Sequence, residues 1–465
     1  MRTGTGVQEL EAGEGLGVGG EEEAAAGEGV GIDLPPPHGL PAPRVLSRVR
    51  ETITRRCGAP ETPRMRSHRY RHLFRTPEFT PLFLSSSAHI VGQTIGGLAL
   101  GTLVYEATRS PLLSAVSMFG PSLAQVLGAT LFLSWADGLP PRKALTAVSA
   151  GFAVGTALLA LPGLPIWSVL VVVLAQGLIA SLGGGVRWGL LTEILSKDGY
   201  LLGRSVFNMM SGVMQISGYA TGGALLVAIG SARVTLLLSA LLFLAAAVLA
   251  RLGLGPRPPR ASGFRPSVAA TWRTNALLWS SAPRRRLYLA LWVPNGLIVG
   301  CESLFVSYAP GDAGLLFACA ALGMFVGDVT IGRLVPRAVR ARLGVPLLLL
   351  LAAPYLLFFT RPALPLAAVT VAVASVGFGA SLVQQEHLMT LVPEQLSGHA
   401  LGLHSAGMLT MQGVSAALAG AVAQIASPAV AMTAMAGLSV AVTGCLGWGM
   451  RRDRGRTERG AVVAG

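Results

Sequence analysis

Charge is what this chain has least of. Lys, Arg, Asp and Glu make up only 12% of its 465 residues, about half the share found in a soluble globular domain. A water-soluble protein of this length would fold as several domains with charged surfaces, so that class is excluded. Cysteine is also rare. Cys57, Cys301, Cys319 and Cys445 stand far apart, without the spacing of a metal or redox site, and read as unpaired thiols. No Gly-x-x-x-x-Gly-Lys-Ser/Thr loop is present to cradle a phosphate, which leaves no recognisable means of using ATP. Nothing points to an enzyme, and neither a cofactor nor a metal is expected. The chain does not open with a basic segment, a short apolar stretch and a small-residue cleavage site, so a cleaved signal peptide is not expected.

Apolar residues, by contrast, make up 52% of the chain, and the mean hydropathy is +0.59. They come in uninterrupted runs of roughly twenty, the length at which a helix crosses a hydrocarbon core. Twelve spans are expected, near 80–104, 112–134, 144–161, 165–188, 205–229, 232–253, 287–309, 313–334, 343–360, 363–386, 399–424 and 429–449. The chain then divides into an N-terminal arm (1–75), a six-helix bundle (76–253), a basic linker (254–286), a second six-helix bundle (287–450) and a basic tail (451–465). Residues 1–43 are mostly Gly, Glu, Ala and Pro and read as disordered; residues 44–75 are strongly basic.

The loops between spans fall into two sets. The arm, Arg142 with Lys143, Lys197 with Arg204, the linker, Arg333 to Arg342 and the tail carry the cations, whereas the alternate loops hold Arg109, Arg233 and Arg361 one at a time. Cationic loops stay in the cytoplasm. Both termini and the linker are therefore expected there, with the chain multi-pass in the plasma membrane. Within the linker, Val268, Trp272, Ala276 and Trp279 fall at helical spacing with Arg273 off that face, which predicts an interfacial amphipathic helix. The basic arm has a simpler partner in anionic lipid than in nucleic acid, and none of the latter is expected.

The halves also rhyme. "LPPR" at 139–142 returns as "LVPR" at 334–337, and at the same shift of 195 residues Gly218 falls on Gly413. Parallel six-span repeats about an axis along the membrane normal build one large transporter architecture. With the stretch "SWADGLPPRKAL" at 134–145, the chain resembles the major facilitator superfamily over about residues 75–450. That family's turn signature, Gly-x-x-x-Asp-Arg-x-Gly-Arg-Arg-Lys, is kept at Asp137, Arg142 and Lys143. Leu133, Gly138, Pro140 and Pro141 depart from it. The resemblance implies an all-α fold of two pseudo-symmetric six-helix bundles, with Asp137 meeting the positive end of helix eleven when the cytoplasmic side closes. A carboxylate at such a helix end is worth about 0.3–1 kcal/mol when exposed. A solvated turn would explain Arg142 and Lys143 equally well, but not Asp137. "SGYATGGALL" resembles the helix-five signature Gly-Pro-x-x-Gly-Gly of drug/proton antiporters at Gly218, Gly222 and Gly223, with Tyr219 in place of Pro; the same glycines would serve close helix packing. "VRWGLLTEIL" is similar to a pattern after helix four in siderophore-exporter and macrolide-efflux relatives.

Polar residues deep in a span are costly and functional by default. His89 and Gln93 lie four apart on one face of the first span, and no carboxylate lies deep in spans one to six. Glu302, just past the middle of span seven, is the best-placed carboxyl for a proton cycle. His89, with an ordinary pKa of about 6.5, is the second candidate. Candidate substrate contacts are His89, Gln93, Asn208, Gln215, Glu302 and Gln384; Asn208, Gln215, Gln384 and Gln385 would also serve as bridges between helices. The gate group is Asp137, Arg142 and Lys143, with Arg187 and Glu193 at the inner end of span four and Arg333 and Arg337 after span eight; snorkelling would also account for Arg187 and Glu193. The expected function is secondary transport by alternating access, exporting an amphiphilic small molecule in exchange for protons, as a monomer in the bilayer. A nutrient importer of the same fold, or a membrane sensor or scaffold that has lost transport, are the alternatives.

Overall fold

The structure, a computed structural model, describes residues 73–131, 140–195, 197–258 and 268–463. Within an apolar run the chain can satisfy its own peptide groups without water only as a helix, and local chemistry sets the boundaries. Pro111, Pro141 and Pro428 open three helices, where a missing N–H costs nothing because first-turn donors have no intrahelical acceptor. Arg109, Gly230 and Arg361 turn the chain out of others in left-handed geometry, at φ of 53°, 66° and 53°.

The membrane helices are α1 (Phe79–Thr108), α2 (Pro111–Leu131), α3 (Pro141–Leu159), α4 (Ile166–Ile194), α5 (Lys197–Ile229) and α6 (Ala232–Gly253). After a linker helix at Val268–Ser280 come α7 (Ala282–Glu302, with a last turn at Phe305–Tyr308) and α8 (Ala313–Val329, closed by a π-turn at Thr330–Leu334). Next, α9 runs as α-helix through Gly344–Ala352 and as 3-10 helix through Ala353–Thr360. The set is completed by α10 (Leu364–Leu391, with a 3-10 turn at Val376–Gly379), α11 (Ser397–Ile425) and α12 (Pro428–Val463). Ten of these are long and apolar enough to cross a membrane; α9 is a shorter apolar helix, and α3, with 19 residues, makes twelve.

The pairing of helices shows the duplication directly. In the first half α1 packs on α5 and α6, α3 on α4 and α6, and α2 on α4. In the second half α7 packs on α11 and α12, α9 on α10 and α12, and α8 on α10. Adding six to every helix number in the first set gives the second. Between the halves α2 packs on α11 and its counterpart α8 on α5, as a two-fold axis requires. Hydroxyls reinforce the packing inside a half: Ser85 donates to the Ala246 carbonyl (2.8 Å) and Ser239 to the Gly92 carbonyl (2.7 Å), both between α1 and α6. Such interhelical bonds contribute about 0.6 kcal/mol each in a bilayer.

Several expectations need correction. Helix α5 begins at Lys197 and not near 205, and α12 continues as helix to Val463, through most of the expected tail. The linker does contain a helix, but only its C-terminal end docks. Leu278 is buried, Trp279 stacks on Trp292 at 5.5 Å and 9°, and Asn275 Oδ1 lies 2.8 Å from His399 Nε2. Trp272 shares the face of Trp279 but sits two turns earlier, beyond the bundle, and is 67% exposed. Gly218 and Gly413, matched by the repeat, play unlike parts. A Cβ at Gly218 would lie 1.9 Å from Thr94 Oγ1 within the first half, whereas one at Gly413 would lie 2.4 Å from Leu123 Cγ in the other half. Asp137 and the rest of residues 132–139 lie outside the described residues.

Candidate functional site

Helix α5 carries a polar stripe on an otherwise apolar cylinder. Arg204, Asn208, Ser211, Gln215 and Tyr219 follow one another at intervals of three or four, so they share one face. Helix α8 answers with Gly314, Phe317, Ala321, Met324 and Asp328 at the same intervals. The two stripes face each other across the boundary between the halves, and they diverge along their length.

At one end they touch backbone to backbone. A Cβ on Gly223 would lie 2.9 Å from Gly314 Cα, and one on Gly314 only 2.4 Å from Gly223 Cα. One turn along, Tyr219 stacks on Phe317 at 4.8 Å and 16°. The same end is closed elsewhere by Ser110 Oγ, which donates to Gln424 Oε1 at 2.8 Å, and by Gly420 against the Leu112 backbone. Leu98 of α1 and Phe305 of α7 are fully buried in one cluster there. This is the end with the short connections at 109–110, 230–231, 309–312 and 426–427.

Toward the opposite, basic end the stripes part around a cavity of about 640 Å³ between α5, α8 and α10. Asn208, Gln215 and Gln385 present amides to it, Met209, Met324 and Phe325 give it an apolar wall, and Arg204, Asp328 and Arg333 bring charge. Arg333 reaches across the mouth from α8 to donate to Ser205 Oγ (3.1 Å) and contact Met209 Sδ (3.1 Å) on α5. Among the described residues neither Arg204, Arg333 nor Asp328 is in an ion pair. Arg333 sits in the π-turn, and Arg340 fixes that turn from behind. The buried Arg340 side chain donates to the Ile331 and Gly332 carbonyls at 3.2 and 3.4 Å and pairs with Glu386 of α10 at 3.0 Å.

The expected site residues distribute unevenly around this wedge. Asn208 and Gln215 line the cavity; so does Arg333. Gln384 does not: it is buried with Oε1 unpartnered. Its neighbour Gln385, turned by about 100°, takes the cavity position and lies 3.4 Å from His404 Nε2. Glu302 is not a cavity residue either. It ends the main helix of α7 with 6% exposure, and Oε1 has no hydrogen-bond partner. Tyr219, which stacks on Phe317, and Tyr355 lie within electrostatic reach of it.

His89 is also displaced from the cavity. It packs edge-on against Phe152 and Phe243 at 5.1 and 5.0 Å, with Nδ1 3.3 Å from Ser149 Oγ, inside the first half. Gln93, one turn along, lines a separate pocket of about 120 Å³ with Gln125 and Gln176. Arg187, partly buried, is not a cavity residue; it lines a small pocket with His89 inside the first half. Glu193 pairs with Arg257 at 3.4 Å, and Arg257 also bonds Glu78, which ties the ends of α1, α4 and α6 together within one half. Arg142 is half-buried with Nε unpartnered; Lys143 and Arg337 are exposed. Gly222 faces Ile95 of α1, with a Cβ there 3.3 Å from Ile95 Cα.

No protein-family model and no curated protein sequence matches this chain. Solved structures do. The nucleoside transporter NupG superposes with a TM-score of 0.64 over 79% of this chain and 98% of its own, at 12% identity. A POT family transporter in complex with 5-aminolevulinic acid gives 0.62 over 79% and 94%, at 11% identity. A bacterial homolog of the human lysosomal transporter Spinster, inward-facing and occupied, gives 0.56 over 80% and 91%, at 15% identity.

Proposed function

Because this chain has the major facilitator fold, we propose that it is a secondary active transporter of amphiphilic small molecules. The observation that carries the reading is the wedge between α5 and α8: a cavity with amide, thioether, aromatic and charged walls, open toward one end and sealed by backbone contact at the other. With the basic end in the cytoplasm, the cavity faces inward. Transport then consists of parting the Gly223–Gly314 seal while the Arg333 mouth closes on α5.

Export in exchange for protons is the favoured direction, on the resemblance of the α5 glycines to drug/proton antiporters. Glu302 is the proton site in this scheme. An unpaired carboxylate at that depth is costly, so a proton held there when the seal is shut and released when it parts would couple the two movements. The charged cavity wall supports a second reading, import of a charged nutrient, because Arg204, Asp328 and Arg333 offer both signs to a polar cargo. A transport-inactive sensor is the third.

Proteoliposomes with an imposed pH gradient separate these readings. Dyes, antibiotics, siderophores, peptides and nucleosides are presented in turn. Proton-driven exit of an amphiphile supports export, inward accumulation of a peptide or nucleoside supports import, and no flux of any cargo by folded protein supports the sensor. Glu302→Gln keeps the side chain neutral, so it is expected to abolish gradient-driven transport while leaving cargo binding intact. Undiminished accumulation by that variant would place coupling elsewhere.

A further inference from the structure

The first half contains a charged group that the transport cycle leaves unused. Arg187 lies on α4, seven residues before that helix ends, roughly 10 Å from its end at 1.5 Å per residue, and is partly buried. It lines a small pocket with Ser86 and His89 of α1 and Ser149 of α3. Its Nε is hidden and has no hydrogen-bond partner, and among the described residues no carboxylate lies within ion-pair distance. A guanidinium keeps its charge at any working pH, so in a low-dielectric bundle it needs a counter-charge.

The pocket supplies donors and no acid. Ser85, the other hydroxyl of that wall, already donates to the Ala246 carbonyl. Ser86 has no hydrogen-bond partner among the described residues, and Ser149 and His89 share one contact at 3.3 Å, which uses one hydrogen of that pair and leaves the other, on the imidazole or the hydroxyl, to point inward. The space is about 20 Å³, room for one water-sized occupant and too little for phosphate or an organic acid. We propose that this pocket binds a single small inorganic anion of halide size, held by Arg187, Ser86 and the one free hydrogen of the Ser149–His89 pair. The anion is a fixed structural partner of α1, α3 and α4, separate from the cavity between the halves.

The test needs no transported cargo, so it succeeds or fails independently of the transport reading. Purified protein in detergent is thermally unfolded in sodium gluconate, with chloride or bromide replacing gluconate at constant ionic strength. A rise in Tm that grows with the logarithm of halide concentration, to about 2–5 °C near a hundred times Kd, is expected for both halides and not for sulfate. Arg187→Gln should abolish the shift, and Ser86→Ala, which keeps the guanidinium, should weaken halide affinity at least threefold. Should Arg187→Gln fail to fold, Ser86→Ala and Ser149→Ala decide. A halide-independent Tm, an equal response to sulfate, or a wild-type halide affinity in both serine variants would overturn the proposal and leave water as the occupant.

Discussion

Gly223→Ala is the sharpest test of the wedge. Its Cβ would lie 2.9 Å from Gly314 Cα, at least about half an ångström inside ordinary carbon–carbon contact. The atom it meets is backbone, so no rotamer change relieves the clash and α5 must move away from α8. Overpacking of this kind costs about 1–3 kcal/mol. The penalty falls only on the state in which the two glycines touch, so the equilibrium between sealed and parted forms shifts about 5- to 150-fold toward parting. Gly223→Val belongs at the upper end of that range. The readout is a cysteine at Leu226, which packs into the core clusters of both neighbouring walls, in a protein lacking its native cysteines. Labelling by an impermeant maleimide should accelerate in the order wild type, Ala, Val. Gly97→Ala is the control, because nothing lies within 4 Å of a Cβ there. Equal labelling rates in all four folded proteins would mean that the glycine contact does not hold the seal.

Three further outcomes are expected. Arg340→Gln removes a buried cation from two carbonyls and a carboxylate, at about 1.5–3 kcal/mol for charge-assisted bonds, whereas Glu386→Gln removes only the half-exposed partner, worth about 0–1 kcal/mol; urea midpoints that fall equally in both variants would refute the assignment of Arg340 to the π-turn. Cysteines at positions 265 and 455 should stay unlabelled by an impermeant reagent in intact cells, because the arginines partition so unevenly between alternate loops; rapid labelling of either would invert the topology. Asp137→Asn should slow turnover without lowering the amount of folded protein if that carboxylate caps α11 on the cytoplasmic side, and normal turnover would return it to a solvated turn.

The fold was legible because a membrane span is written in length and apolarity. The facing of each helix was much less legible. In a helix that is apolar all round, no periodicity separates the lipid side from the bundle side, so His89 and Gln93 could be placed on one face but not aimed. Helix α5 was the exception. Arg204, Asn208, Ser211, Gln215 and Tyr219 form a polar stripe at helical spacing, and that pattern alone would have identified the cavity wall. Arg333 reads as a boundary charge because its depth depends on where α8 ends, and the π-turn moves that end. Arg340 could not be found at all: one more arginine in a basic loop has no sequence mark of burial.

The eight 3-10 residues of α9 change how this shortest span meets the lipid. At about 2.0 Å per residue they cover about 16 Å, and the nine α residues before them add about 13 Å. Seventeen residues therefore reach about 30 Å, a full hydrocarbon thickness, where an α-helix throughout would stop near 25 Å. The span matches the bilayer by being stretched, so it needs neither local thinning of the membrane nor a polar residue drawn into the acyl chains. In a thinner bilayer it can shorten by about 4 Å by passing into α geometry, an adjustment that its symmetry mate α3, α-helical throughout, does not have.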